Sequence, residues 1–84
     1  MVRLLFLGKF GDVAPAALAE VALPGDVHTL ADLKTWIARQ QPLLGAAMEA
    51  TRTRLIVNQC VAHDLTQLVV DGDEVAFLPP MSGG

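Results

Sequence analysis

The C-terminal segment carries the one group in this chain whose placement suggests chemistry. The sequence ends in Leu-Pro-Pro-Met-Ser-Gly-Gly, directly after an apolar run. Each proline fixes φ near about −65° and lacks an N–H, so a strand must stop pairing there and continue as a stiff stem. The six residues after Leu78 reach at most about 20 Å. We predict a slender tail made of Pro79, Pro80, Met81, Ser82, Gly83 and Gly84.

The reacting group of such a tail would be the terminal carboxylate of Gly84. A carboxylate is a poor electrophile, so it needs activation, for example as a mixed anhydride with AMP. Glycine suits this role because a Cβ would crowd attack on the activated carbonyl. The competing interpretation is a frayed terminus, which is ordinary for the last residues of a domain. The proline stem directly after an apolar strand favours the functional interpretation.

The other reactive side chains form no catalytic group. The sequence has no Ser-His-Asp or Cys-His grouping and no Gly-rich phosphate loop. His28 and His63 are isolated, which is typical of surface histidines. Cys60 is the single cysteine, and its apolar surroundings predict an inert core residue. The acidic residues Asp71, Asp73 and Glu74 predict a solvated turn, with docking to a basic partner as the alternative. We expect no metal site and no bound cofactor.

Composition narrows the classes of partner. Eighty-four residues make one domain, and 52% hydrophobic with 18% charged residues exclude disorder. A net charge of −3 argues against nucleic acid and against anionic membranes as partners.

The apolar run near the start is shorter than the core of a signal peptide, and no run approaches the roughly 18 residues of a membrane span. We therefore expect a cytoplasmic protein.

The first half of the chain predicts two strands and one helix. Residues 2–8 form a short β-type run, and residues 17–23 predict a weaker second strand that ends at Pro-Gly. Thr29 and Asp32 have the spacing of a capping box, and apolar residues follow at helical spacing. We predict one amphipathic helix from residue 30 to about residue 41, stopped by Pro42, and residues 42–50 are compatible with a short helical turn after it.

The second half predicts the remaining strands. Residues 54–62 are the strongest β segment, with a kink or turn at Asn58-Gln59, and Asp71-Gly72 suits a tight turn before a final strand at residues 74–78. The order β-β-α-β-β predicts an α+β fold, in which one main helix packs across a mixed sheet. We predict a domain at residues 1–78 and an extended tail at residues 79–84.

Alternation in the final strand predicts a second functional surface. If Val75 and Phe77 face the helix, the intervening residues lie on the outer face of the sheet. An apolar outer face is a candidate protein-binding site, although scattered exposed aliphatic residues are common. The predicted partner interface consists of Leu5, Leu7, Val61, Ala76 and Leu78.

Residues 71–84, DGDEVAFLPPMSGG, resemble the C-terminal signature of the small subunits of molybdopterin synthase, within the ubiquitin-like sulfur carriers. The VNQ segment at residues 57–59, the initial VRLLFLG and the single helix extend this resemblance over the chain. The resemblance implies a β-grasp fold. It also implies that an adenylating enzyme uses ATP to activate Gly84, and that a sulfur donor protein converts it to a thiocarboxylate. Sulfur would then pass to cyclic pyranopterin monophosphate, forming molybdopterin for the molybdenum cofactor.

The resemblance also implies which protein holds the catalytic side chains and which residues of this chain react. The tail would insert into the large subunit of molybdopterin synthase, in a heterotetramer, and that subunit would hold the catalytic side chains and the substrate pocket. On this chain, Gly84 would react, Gly83 would be its slim neighbour, and Pro79 and Pro80 would form the stem. Three alternatives stay open: sulfur carriage for thiamine or a sulfur-containing amino acid, a ubiquitin-like modifier joined to lysines, and an interaction module with an idle tail.

Overall fold

The computed structural model describes residues 1–80, which form one five-stranded mixed sheet and two α-helices. The strands are β1 (Val2–Phe6), β2 (Glu20–Val21), β3 (Arg54–Val57), β4 (Cys60–Ala62) and β5 (Glu74–Leu78). They lie in the order β2-β1-β5-β3-β4. Strands β1 and β5 pair in parallel, and the other neighbouring pairs are antiparallel. The strand that leads into the predicted tail therefore occupies the centre of the sheet.

Helix α1 (Leu30–Gln40) is the predicted amphipathic helix, and it begins at the predicted capping box. The Thr29 hydroxyl accepts a hydrogen bond from the Asp32 N–H at 3.1 Å, and the Asp32 carboxylate accepts from the Thr29 N–H at 3.2 Å. The next two orphan donors, the N–H groups of Leu30 and Ala31, bond to carbonyls of the segment after β4. The start of α1 is thereby satisfied by local and by distant partners.

Helix α2 (Pro42–Glu49) corrects the prediction of a short helical turn after α1. Pro42 ends α1 but occupies the first turn of α2, where its missing N–H costs nothing. Gly45 lets the two helices approach closely, because a Cβ at Gly45 would lie 2.5 Å from the Ala38 Cβ. Within residues 1–80, an α-helix of eight residues thus stands where the sequence predicted a short helical turn.

The second strand is much shorter than predicted. A 3₁₀ turn at Ala16–Leu18 takes up the start of the predicted run, and β2 keeps only Glu20–Val21. Alanine has low β propensity, so little in residues 17–23 favours an extended chain except the pairing with β1. A further 3₁₀ helix, Gly8–Asp12, follows β1.

The turn predicted within residues 54–62 is confirmed as a two-residue hairpin. Asn58 and Gln59 have φ values of 50° and 70°, the combination that a type I′ turn requires. The Asn58 side chain also joins this turn to the start of β5. Its Nδ2 donates to the Asp73 carboxylate at 2.9 Å, and its Oδ1 accepts from the Glu74 N–H at 2.9 Å.

The core lies on one face of the sheet, under the helices. The predicted helical stripe of Leu30, Leu33 and Ile37 is fully buried, and so are Val75 and Phe77 of β5. The largest buried side chains are Phe10, Phe77, Leu4, Leu30, Leu33, Ile37 and Leu44. Across residues 1–80, no helix is long and apolar enough to cross a membrane.

Candidate functional site

The root of the tail lies at the end of the central strand. Strand β5 ends at Leu78, so Pro79 is the first residue beyond the ladder, as the two prolines predict. In the parallel pair of β1 and β5, Phe6 lies opposite Phe77, and their rings stack with centroids 5.1 Å apart. The Leu7 N–H donates to the Phe77 carbonyl at 3.0 Å. Strands β1 and β5 are therefore held side by side up to the residue at which the tail begins.

Gly8 supports the first proline of the stem, and the sequence reading did not single it out. Its φ of 58° is in the left-handed region, and a Cβ there would lie 3.0 Å from Cγ of Pro79 and 3.4 Å from Cδ. Only a residue without a side chain allows this approach without displacement. A glycine directly after an apolar strand was the available signal, but its partner is 71 positions away in the sequence. Met81, Ser82, Gly83 and Gly84 lie outside the described residues, and their role stays a prediction.

An apolar row crosses the outer face of the sheet. Leu5 lies opposite Ala76, Ala76 opposite Ile56, and Ile56 opposite Val61, so one residue from each of four adjacent strands contributes. Residues of opposite parity, such as Leu4 and Val75, enter the core. The row therefore lies on the face turned away from the helices. We call these four residues the apolar row.

The structure places the predicted interface residues on this face with different exposures. Leu5 and Val61 are exposed, at 37% and 49%. Leu7 follows β1 in extended backbone and is also exposed, and Leu78 is half-buried at the end of β5. Ala76 is only 6% exposed, because its short side chain lies at the floor of the face between strands that carry longer side chains. Whether a partner binds here stays a prediction.

Ile56 belongs to the same face and was missed from the sequence. It is half-buried at the centre of β3, between the buried residues Leu55 and Val57. The signal was the alternation in Arg-Leu-Ile-Val, in which the middle apolar residue has the parity of Arg54. Charged residues border the apolar row on one side, where Arg3 and Glu74 form an ion pair at 3.6 Å.

Cys60 is exposed, so the prediction of an inert core residue is wrong. The residue begins β4, a three-residue strand at the edge of the sheet, directly after the hairpin turn. An edge position in so short a strand leaves the side chain without cover, although the local run of residues is apolar. His28 and His63 are exposed, as predicted.

The acidic turn has a structural role within the described part of the chain. The Asp73 carboxylate accepts from the Val70 N–H at 2.9 Å, and Asp71 pairs with the amino group of Met1. These contacts agree with the prediction of a solvated turn. Among residues 1–80, no three His, Cys, Asp or Glu side chains lie close enough together to hold a metal ion.

Comparison with known proteins identifies the family. A model of the ThiS family matches residues 4–84. The chain belongs to the ThiS family. The molybdopterin synthase sulfur carrier subunit of Escherichia coli (strain K12) is 34% identical over 87 residues, covering 100% of both chains. Among solved structures, SAMP1 from Haloferax volcanii matches this ThiS-family chain with a TM-score of 0.72 at 22% identity, over 99% of this chain and 98% of SAMP1. This likeness confirms the predicted β-grasp fold.

Proposed function

We propose that this chain is a sulfur carrier, and that it is the carrier subunit of a molybdopterin synthase. The observation that supports the proposal most directly is end-to-end similarity to a relative named as the sulfur carrier subunit of that enzyme. The architecture of the described residues agrees with it. The central strand ends at Leu78, and the two prolines of the proposed stem follow it at the end of the sheet.

The proposed reaction takes place at the carboxyl group of Gly84. A carboxylate oxygen attacks the α-phosphorus of ATP in the adenylating enzyme, pyrophosphate leaves, and an acyl-adenylate forms. Sulfur at the oxidation level of sulfide, supplied by the donor protein, attacks the acyl carbon, and AMP leaves. The product is a thiocarboxylate, whose sulfur attacks a carbon of cyclic pyranopterin monophosphate, and an oxygen substituent leaves that carbon. Water then attacks the acyl carbon of the resulting thioester, the acyl C–S bond breaks, and the sulfur stays on the pterin while the carboxylate of Gly84 is restored for another cycle.

In the proposed reaction, this chain positions the carboxyl group of Gly84, and its partner proteins carry out proton transfer. The apolar or neutral residues Leu7, Gly8, Leu78 and Pro79 lie at the root of the tail, and Arg54 lies opposite Leu78 in the neighbouring strand. Effective catalysis depends on holding the reacting carbonyl in place, since a displacement of about 1 Å costs about 10²-fold in rate. The stem and the central strand supply that constraint. Acid, base and substrate-binding groups belong to the large subunit.

The apolar row is the proposed docking surface for the large subunit, together with Leu7 and Leu78. An exposed apolar sheet face beside the tail root lets one partner cover the face and receive the tail at the same time. The assembly is proposed to be a heterotetramer of two carrier and two large subunits in the cytoplasm. ATP is consumed by the adenylating enzyme, and the carrier itself holds no cofactor.

Two linked assays test the proposal. Incubation with the adenylating enzyme, ATP and a sulfur donor should give the intact-mass change for one oxygen exchanged for sulfur. The charged carrier, mixed with the large subunit and cyclic pyranopterin monophosphate, should then yield molybdopterin. A variant that lacks Gly84 should show neither, because its carboxylate is drawn back by up to about 3.6 Å. Cys60→Ser should behave as wild type, because the sulfur resides on the terminal carbonyl.

The two assays also separate the alternatives. A thiocarboxylate that forms but yields no molybdopterin would assign the carrier to another sulfur pathway. Conjugates in which Gly84 is amide-linked to lysines would assign it to protein modification. A full mass change in the variant that lacks Gly84 would show that the terminal glycine is not the sulfur site.

A further inference from the structure

A groove lined by basic and apolar side chains, the cationic groove, lies beside the edge strand β4 and adjoins the apolar row at Val61. Its volume is about 600 Å³. The basic lining residues are Lys34, Arg52, Arg54 and His63, and the apolar lining residues are Leu55, Val61, Ala62 and Leu65. Three of the six Lys and Arg residues of the chain therefore line one groove, and no Asp or Glu is among its lining residues.

The positive charge of this cationic groove contrasts with the rest of the molecule. The chain carries a net charge of −3. Within residues 1–80, the ion pairs are Arg3 with Glu74 and the Met1 amino group with Asp71, so neither uses a cation of the groove. The neighbouring Asp64 carboxylate accepts from the Thr66 N–H at 2.9 Å. That backbone hydrogen bond lowers the pKa of Asp64 and so favours its charged form, which offsets one of the three Lys and Arg charges that line the groove. The groove therefore selects for anionic ligands.

The cationic groove continues the proposed docking surface. Val61 belongs both to the groove and to the apolar row. Arg54 lies directly opposite Leu78 in the pair of β3 and β5, so the groove begins one strand, about 4.8 Å, from the root of the tail. A protein that holds Gly84 in its active site must approach within the reach of the tail, about 20 Å. A standard interface of about 800 Å² per partner extends well beyond the root and onto the neighbouring strand.

We propose that the cationic groove docks an acidic segment of the large synthase subunit, one that presents carboxylates on either side of an apolar residue. The inference rests on the proposed function, which identifies the protein that receives the tail. The apolar lining residues Leu55, Val61 and Leu65 suit a peptide segment better than a small anion, which gains nothing from apolar contact. The guanidinium groups of Arg52 and Arg54 match carboxylates in geometry as well as in charge.

The chain offers a direct chemical test, because Lys9 and Lys34 are its only lysines. Lys34 lies in the groove, and Lys9 lies in the 3₁₀ helix after β1. A water-soluble carbodiimide joins amines to contacting carboxylates without a spacer. In the complex with the large subunit, it should link Lys34 to an Asp or Glu of that subunit. The link should be lost in Lys34→Arg, which keeps the charge, and retained in Lys9→Arg.

Kinetics provide an independent measurement. Arg52→Glu should reduce the association rate with the large subunit about tenfold and flatten its dependence on salt, because rim charges act mainly on association. Arg39→Glu is the matched control, since it makes the same change in net charge at an exposed site on α1 away from the groove. The control should stay within about twofold of wild type. Thermal unfolding of both variants checks that the domain remains folded.

Other outcomes would refute the docking site, its proposed occupant or the proposed function. Equal slowing in Arg52→Glu and Arg39→Glu, or cross-links formed only through Lys9 and the Met1 amino group, would refute the groove as a docking site. Loss of binding to the adenylating enzyme alone would assign the groove to that protein and refute our choice of occupant. Failure of wild type to bind the large subunit at all would refute the proposed function instead.

Discussion

Gly8→Ala should disturb the tail through a single steric contact. At φ 58°, an L-residue with a Cβ costs about 1–2 kcal/mol relative to glycine. The new methyl group would also lie 3.0 Å from Cγ of Pro79, so the stem must move by a few tenths of an ångström. For a domain of this size, each 1 kcal/mol lowers Tm by about 4–8 °C. We therefore expect a folded variant with a Tm lower by about 4–16 °C.

The displaced stem should also slow the chemistry at Gly84. Displacement at Pro79 moves the base of a tail that reaches at most about 20 Å, so a small change in direction there grows toward its end. Because a 1 Å misplacement costs about 10²-fold, we expect thiocarboxylate formation to slow by about threefold to tenfold. The rate is measured by intact mass at a temperature where the variant is fully folded, with saturating adenylating enzyme, ATP and sulfur donor.

Gly72→Ala separates the steric effect from the strain of the backbone. Gly72 has a φ of 95°, which an L-residue rarely adopts, but a Cβ there meets nothing within 4 Å. This variant should lose stability through backbone strain alone and keep the wild-type rate of thiocarboxylate formation. If both variants slow equally, or if Gly8→Ala reacts at the wild-type rate, the contact with Pro79 does not position the tail.

Three further predictions concern the helices, the outer face and pH. Gly45→Ala should lower the free energy of unfolding in urea by about 1–2 kcal/mol. The new Cβ would lie 2.5 Å from the Ala38 Cβ and 2.7 Å from its Cα, so overpacking should cost about 2–3 kcal/mol, against a helix-propensity gain of about 1 kcal/mol. An equal or higher stability would contradict the close approach of the helices. Leu78→Asp should weaken binding of the large subunit in calorimetry while circular dichroism shows a folded monomer; an unfolded monomer would place Leu78 in the core. Hydrogen bonds from the N–H groups of His28 and Thr29 lower the pKa of Asp32, so its stabilising contribution is present above the unfolded pKa and is lost as pH falls through the folded value. The difference in unfolding free energy between wild type and Asp32→Asn should therefore shrink as the pH falls below about 4, and a difference independent of pH would refute the assignment.

Local chemistry made part of this structure predictable from the sequence. The capping box and helical spacing identified α1 and its buried stripe, since both depend on residues within a few turns of each other. The Asn58-Gln59 turn, the final strand and the exit of the chain at Pro79 follow from backbone preferences of individual residues. Alternation along β5 also placed Ala76 and Leu78 on the outer face.

Contacts between distant residues decided the rest. Pro42 could end one helix or begin another, and packing of Gly45 against Ala38 favours a second helix. Cys60 lies in an apolar run, yet its place at the sheet edge leaves it exposed.

The functional surfaces depend on pairing between strands that are far apart in the chain. The apolar row, the cationic groove and the support of Pro79 by Gly8 all need the order β2-β1-β5-β3-β4. Periodicity within one strand determines which face a side chain occupies, but not which strand lies beside it. The order of the strands is determined by burial of the whole core, because residues from every part of the chain contribute to the free energy of that burial.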